Sequence, residues 1–253
     1  MASANKLKHW KETQEHWNDD EFLAVTANAF MKLRWKRLKA RCAAESARRS
    51  AILGRALDLA DVGCAHADFY DEAKGSLKSY TGVEPSKALL PKNISRGKNF
   101  RLLRGTAEKL PLKASSADFI LVKEVLDHCF DPLAVLKESY RVLRPGGELL
   151  ITLTNDHAWY KRLFPGLAAR IKAGQHDHLF FFHPDQVIGL ARQAGFKDVQ
   201  EESSHYLRLP SKAEQALGSL PDFAGACVIS ASDAVGSLVA PGYGGSFWVM
   251  AIK

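Results

Sequence analysis

"LDLADVGCAHADF", residues 57–69, decides how this chain folds. An apolar run leads through Asp61 to Gly63, the order expected of a strand that enters a tight turn and then a helix. In an open parallel sheet such a turn lies beyond the carboxyl end of the strand, where ligands bind. Glycine suits the turn because a Cβ collides with a ligand or forbids a positive φ. Gly63 keeps the first such position. Ala65 and Ala67 stand at the next two alternate positions, and each adds one methyl group. That methyl is tolerated where φ is negative and no ligand presses on it.

The pattern repeats outward from this stretch. Short apolar runs at 55–63, 79–85, 100–106, 117–124, 146–154, 198–207 and 246–253 read as strands. Helical stretches alternate with them, which predicts an α/β fold with a mostly parallel sheet and crossover helices. "DPLAVLKESYRVL" starts with Asp131 as cap and Pro132 in the first turn. "HPDQVIGLARQAGF" opens on His183-Pro184 and closes at Gly195. Residues 157–183 are the least regular and predict a substrate-binding insert. "FAGACVISASDAVGSLVAPGY", 223–243, reads as a packed helix or loop pair, and no stretch reads as long and uncharged enough to span a membrane.

Residues 1–50 differ from the rest. They hold 11 Lys/Arg against 6 Asp/Glu, whereas residues 51–253 hold 24 against 22, so the net charge of +7 is mostly N-terminal. Phe22, Val25, Ala29, Leu33, Trp35 and Leu38 recur at helical spacing, without Pro or Gly. We therefore expect a helical cap over 1–50 and a main domain over 51–253. Such a basic segment is either a solvated helix face or a surface that favours phosphates, nucleic acid or acidic lipid. The four cysteines form no CxxC pair, and the N-terminus has no apolar core of a signal peptide, so a reducing cytoplasm is the expectation.

Two further stretches add to the opening turn. "YTGVEPSKALL" ends a strand in Glu84, a carboxylate placed to accept bonds from ribose hydroxyls. "RGTAEKLPL" and "ADFILVKEVLDHCFDP" follow, and then "LRPGGELLIT". In this order the motifs resemble the class I S-adenosylmethionine-dependent methyltransferases, of the small-molecule kind called type 11. The resemblance covers roughly residues 52–200 and the final strand. It implies a Rossmann-like, seven-stranded, mostly parallel sheet with helices on both faces, and S-adenosylmethionine as cofactor. It further implies that Asp61 serves the methionine amino end, directly or through water, and that Gly63 passes beneath the methionine. Glu84 would take the ribose, Ala107 would offer its N–H to the adenine, and Lys123 would contribute a backbone carbonyl. Ala65, Pro85, Thr106 and Glu108 complete the implied set. Thr106 stands where an aspartate often reads the adenine amino group. "LVKE", 121–124, replaces a more usual small polar run, so the Lys123 ammonium turns away or toward an acidic substrate.

Methyl transfer to a neutral oxygen often needs a base near its operating pH, and His suits that role. His128, just after the fourth strand, and His176 and His178 in "QHDHLFFFH" are the catalytic candidates. His176, Asp177 and His178 also suit an Asp–His base pair or a metal, although no metal is expected. Trp159, Tyr160, Phe164 and Phe180 to Phe182 suit a partly apolar pocket, or ordinary packing. Trp10, Trp17 and Trp35 would help close it, with 32–41, "KLRWKRLKAR", as an electropositive rim. The leading expectation is a methyltransferase acting on an oxygen of a sugar, glycolipid precursor or other secondary metabolite, as a monomer or homodimer. An RNA methyltransferase docking through the basic helix, and an inactive partner protein of the same fold, are the alternatives.

Overall fold

The computed structural model describes residues 29–90, 97–175, 178–209 and 211–253. Phe22, Val25, Trp10, Trp17, His176 and Asp177 lie outside them. Seven strands form one sheet in the order β3-β2-β1-β4-β5-β7-β6. They are β1 (Leu57–Val62), β2 (Leu77–Glu84), β3 (Phe100–Arg104), β4 (Ala117–Lys123), β5 (Leu143–Thr154), β6 (Lys197–Ser204) and β7 (Ser246–Ile252). The first five pair in parallel, and β7 runs antiparallel between β5 and β6. Each strand-like run of the sequence therefore became a strand, and the sheet is the Rossmann-like one expected.

The central strands are apolar because both faces of the sheet are covered. β4 is buried along its whole length. On one face Val62, Ile120, Val122 and Ile151 pack against α3 (Pro132–Val142) and α6 (Pro184–Gln193). On the other, Leu59, Phe119 and Leu121 pack against Leu38 and Cys42 of α1 (Ala29–Leu53). Burying a side chain such as Phe119 contributes about 1.5–3 kcal/mol. Asp131 caps α3 by accepting from the Ala134 N–H at 3.0 Å. His183 and Gln186 form a reciprocal cap on α6.

The insert carries two helices, α4 (Trp159–Leu163) and α5 (Pro165–Gly174). After β6 come α7 (Ser211–Gly218) and α8 (Asp222–Val239), while α2 (Tyr70–Ala73) follows the opening turn. α8 corrects the reading of 223–243. It is one helix with only Gly225 and Ile229 buried, and Phe223, Val235, Leu238 and Val239 are exposed. By length and composition it is apolar enough to cross a membrane, contrary to the expectation that no stretch would be. Asp233 and the small residues lowered the apparent apolarity of that stretch, yet Asp233, like Asp222 just before it, faces α1. Asp222 pairs with Lys36, and Asp233 lies 3.7 Å from Arg37 while accepting from the Tyr206 N–H.

The basic rim is corrected in the same way. Lys39 meets Glu72 at 2.9 Å, and Arg41 pairs with Glu202 and lies 4.8 Å from the Trp248 ring. The positive charge of α1 is therefore largely engaged with the body of the domain.

Candidate active site

The carboxyl ends of β1, β2 and β4 meet at the opening turn. β1 pairs with both other strands, and the Gly63 and Cys64 N–H groups donate to the Val83 carbonyl at 2.8 and 3.2 Å. Gly63 has φ +69°, and a Cβ there would lie 2.3 Å from Val125 Cγ2. Only glycine fits. The two alanines do not meet the condition of negative φ. Ala65 has φ 45° and Ala67 has φ 54°. The turn keeps a glycine path because its N–H groups are committed: Ala67 donates to the Cys64 carbonyl at 2.7 Å and Ala65 to Glu84 Oε2 at 3.0 Å. Each alanine bears the cost of a left-handed Cβ, about 1–2 kcal/mol. Ala65→Gly is accordingly expected to raise stability by about 1 kcal/mol and the melting temperature by ~2–4 °C. Thermal unfolding checks this, and a lowered midpoint would show that the strain is absent.

Glu84 ends β2 and is 5% exposed. Its second oxygen accepts from the Ser86 N–H at 2.9 Å. Burial raises its pKa against those two backbone bonds. The carboxylate is therefore fixed in direction, and each oxygen keeps a lone pair for a hydroxyl donor. Pro85 follows it. Thr106 and Ala107 lie in the turn after β3, where the Lys109 N–H returns to the Thr106 carbonyl at 3.2 Å. Glu108 accepts from the Phe130 N–H at 2.8 Å, tying this turn to the segment after β4.

Asp61 is fully buried behind the turn. Burial pushes its carboxyl up to about 6, opposed by Lys123 and by a 2.5 Å bond from the Tyr80 hydroxyl. Its Oδ1 is shut from solvent without a hydrogen-bond partner among the described residues. The Lys123 ammonium turns toward Asp68, in the turn that follows β1. It lies 3.3 Å from Asp68 Oδ1 and 4.3 Å from the Trp35 ring, while the Trp35 indole donates to Asp68 Oδ2 at 2.9 Å. Burial opposes its charge, but Asp68 and Asp61 hold it above its usual value. Trp35 and Lys123 thus join α1 to the turn that follows β1.

Beyond β4 lies a second group. Glu124 has φ 52°, and its Oε1 accepts from the Thr152 hydroxyl at 3.1 Å. Burial pushes its carboxyl up to about 7, with Asp127 adding to the rise, against Thr152, Arg34 and His128. Positive φ together with a carboxyl raised by burial makes Glu124 a candidate functional position. Asp127 is buried, and its Oδ2 lies 3.1 Å from His178 Nδ1 and its Oδ1 3.7 Å from His128 Nε2. The two imidazole rings meet edge to face at 4.5 Å. His128 and His178 are therefore brought together, with Asp127 between them. Asp127 was not singled out from the sequence, and neither was Glu124. The donor atoms of Asp127, His128 and His178 all lie within 4.8 Å of one another, a set able to hold a divalent metal. Elsewhere His157 stacks on His183 at 4.1 Å, Tyr160 and Phe182 are buried, and Phe164 is exposed.

Residues 60–151 match the family model described as "Methyltransferase domain". That match spans the turn, Glu84 and the β4 end. The fold is that of the class I S-adenosylmethionine-dependent methyltransferases. Among solved structures, a methyltransferase of Thermotoga maritima described as a possible histamine N-methyltransferase superposes with TM-score 0.56 at 22% identity. It covers 87% of this chain and 93% of its own. A [4+2]-cyclase superposes equally well, at TM-score 0.56 and 20% identity, covering 85% and 80%. In sequence, the chain is 27% identical over 160 residues to a ubiquinone biosynthesis O-methyltransferase of Colwellia psychrerythraea, covering 59% of this chain. It spans 65% of that relative's length. A demethylmenaquinone methyltransferase of Geobacillus is 26% identical over 168 residues, covering 56% of this chain and 72% of its own length.

Proposed function

We propose that this chain transfers a methyl group from S-adenosylmethionine to an oxygen of a small-molecule acceptor. The observation that carries the reading is the pairing of the Gly63 turn with Glu84 on one side and a carboxyl tuned to about 7 at Glu124 on the other. The bound cofactor supplies an electrophilic methyl group. Ala65 and Ser86 hold Glu84 toward ribose hydroxyls, and Gly63, packed against Val125, sets the path of the turn beneath the methionine part. The Thr106–Glu108 turn is the adenine side. The fully buried Asp61 carboxylate serves the methionine end indirectly, by holding Lys123 and Tyr80 behind the turn.

The acceptor enters from the side of Glu124. Glu124 takes its proton as the oxygen attacks, since a base near the operating pH is best placed for both protonation states. Asp127 orients His178 through Nδ1, and His128 packs beside it. The O-methyltransferases among the relatives support oxygen over nitrogen. Sugars, glycolipid precursors and other secondary metabolites remain the acceptor classes, in a cytoplasmic setting supported by the free thiols. The ion pairs of α1 speak against an RNA-docking arm, since they leave little of its charge for phosphates. The cyclase neighbour is a reminder that a fold alone does not choose a reaction.

The test is release of S-adenosylhomocysteine from S-adenosylmethionine with a panel of hydroxylated acceptors. We expect release to accompany a product heavier by one methyl on oxygen. Cofactor binding without methylation of any acceptor would sink the proposal and favour the inactive partner protein.

A further inference from the structure

α1 carries a row of basic residues, and the carboxylates opposite them are easily named. Lys36 has Asp222, Arg37 has Asp233, Lys39 has Glu72, Arg41 has Glu202 and Arg48 has Glu45. Arg34 differs. No carboxylate lies within 4.0 Å of its guanidinium among the described residues. Nη2 is 3.4 Å from the Ser246 hydroxyl at the start of β7, and Nη1 is 4.0 Å from Met31 Sδ. Its Nε is closed to solvent and has no hydrogen-bond partner among the described residues. Burial opposes the charge, and the groups around it are Tyr160, Glu124, Glu214 and Arg208. Of these, Glu214 is taken by Arg208 at 3.3 Å. Arg208 also lies 5.4 Å from the Tyr160 ring, and Tyr160 is 9% exposed.

A guanidinium withdrawn from water costs several kcal/mol unless something charged completes it. Here the completing partner is missing at a position withdrawn from water, near the residue proposed as base. Building on the proposed methyl transfer, we infer that Arg34, flanked by Tyr160, Arg208 and Ser246, holds the carboxylate of an acidic acceptor whose hydroxyl faces Glu124. The fork of donors on arginine matches a planar carboxylate with two parallel bonds. Ser246 and the Tyr160 phenol add neutral donors. With Glu214 matched to Arg208, Glu124 is the remaining carboxylate near Arg34, beyond 4.0 Å, and its charge is lost as it takes the acceptor's proton. An uncharged sugar or phenol would then leave the guanidinium unanswered, so the site selects hydroxy acids over their esters.

The experiment uses the full chain saturated with S-adenosylhomocysteine. It is titrated calorimetrically with 3,4-dihydroxybenzoate, glucuronate and lactate, and with the methyl ester of each. At least one acid is expected to bind roughly 10–100-fold tighter than its ester, as a charge-assisted pair predicts. Arg34→Gln is expected to remove that preference and leave S-adenosylhomocysteine binding unchanged, while Arg34→Lys, which keeps the charge without the fork, retains part of it. A strut to Ser246 would behave otherwise. Arg34→Gln would then lower the melting temperature and leave the acid-over-ester ratio as it was, which overturns the inference. Failure of every acid to bind at millimolar concentration, with S-adenosylhomocysteine still bound, overturns it as well. Failure of S-adenosylhomocysteine itself to bind removes the methyltransferase reading beneath it.

Discussion

Gly63→Val is expected to weaken S-adenosylmethionine binding severely while the sheet stays folded. Two effects act together. A β-branched residue at φ +69° is a backbone outlier, and its Cβ would start 2.3 Å from Val125 Cγ2. The backbone strain costs about 1–3 kcal/mol and the overpacking about as much. A domain stable by about 5–15 kcal/mol survives that sum. The turn does not survive in place, because Val125 sits between β4 and the Asp127–His128 segment and cannot retreat without moving them. An affinity loss of roughly 100-fold or more follows, since a 1 Å displacement of a ligand-facing backbone forfeits several contacts at once. Calorimetry beside circular dichroism checks this. A folded variant that binds as tightly as the parent would mean that the cofactor lies elsewhere.

The second large effect belongs to Glu124. Glu124→Gln keeps the shape of the side chain and its contact with Thr152 but cannot accept a proton. Turnover is expected to fall roughly 10²–10³-fold, the range of general base catalysis, with cofactor affinity unchanged. The pH dependence carries the same signature. With a carboxyl at about 7, kcat/KM of the parent rises with pH through about 7 and then levels, and in the variant that limb is missing. Stability runs the opposite way. The folded chain holds this proton more tightly than the unfolded chain, whose carboxyl has the ordinary value of 4.5. Stability contributed by that proton is present below about 4.5 and lost as pH rises through about 7, so the parent loses stability over this window and Glu124→Gln does not. Unchanged turnover in the variant would return the base role to His178 or His128.

The strands were legible because a parallel sheet covered on both faces demands continuous apolar runs, and "ADFILVKE" and "GGELLIT" supply them. The turn was legible through Gly63, and the ribose side through a single carboxylate at a strand end. The backbone of the turn was not. An alanine in sequence does not announce a positive φ, and only the bonds from Ala65 to Glu84 and from Ala67 to Cys64 force one. The proposed base was missed for a related reason. Glu124 reads as an ordinary charge after Lys123, and its pKa rises only because the fold buries it and brings Asp127 beside it. The Asp127–His178 pair joins two segments far apart in the chain, so the nearer Asp177 looked like the natural partner. α8 misled in the other direction, since Asp233 interrupts its apolar run in the sequence and in fact faces Arg37 of α1.

In the proposed function the Gly63 turn and Glu84 bind S-adenosylmethionine despite the two alanines. Calorimetric titration of the full chain with S-adenosylhomocysteine tests this. Micromolar affinity with one site per chain is expected. No binding at millimolar ligand would contradict it, and would make Ala65 and Ala67 the record of a site that has been lost.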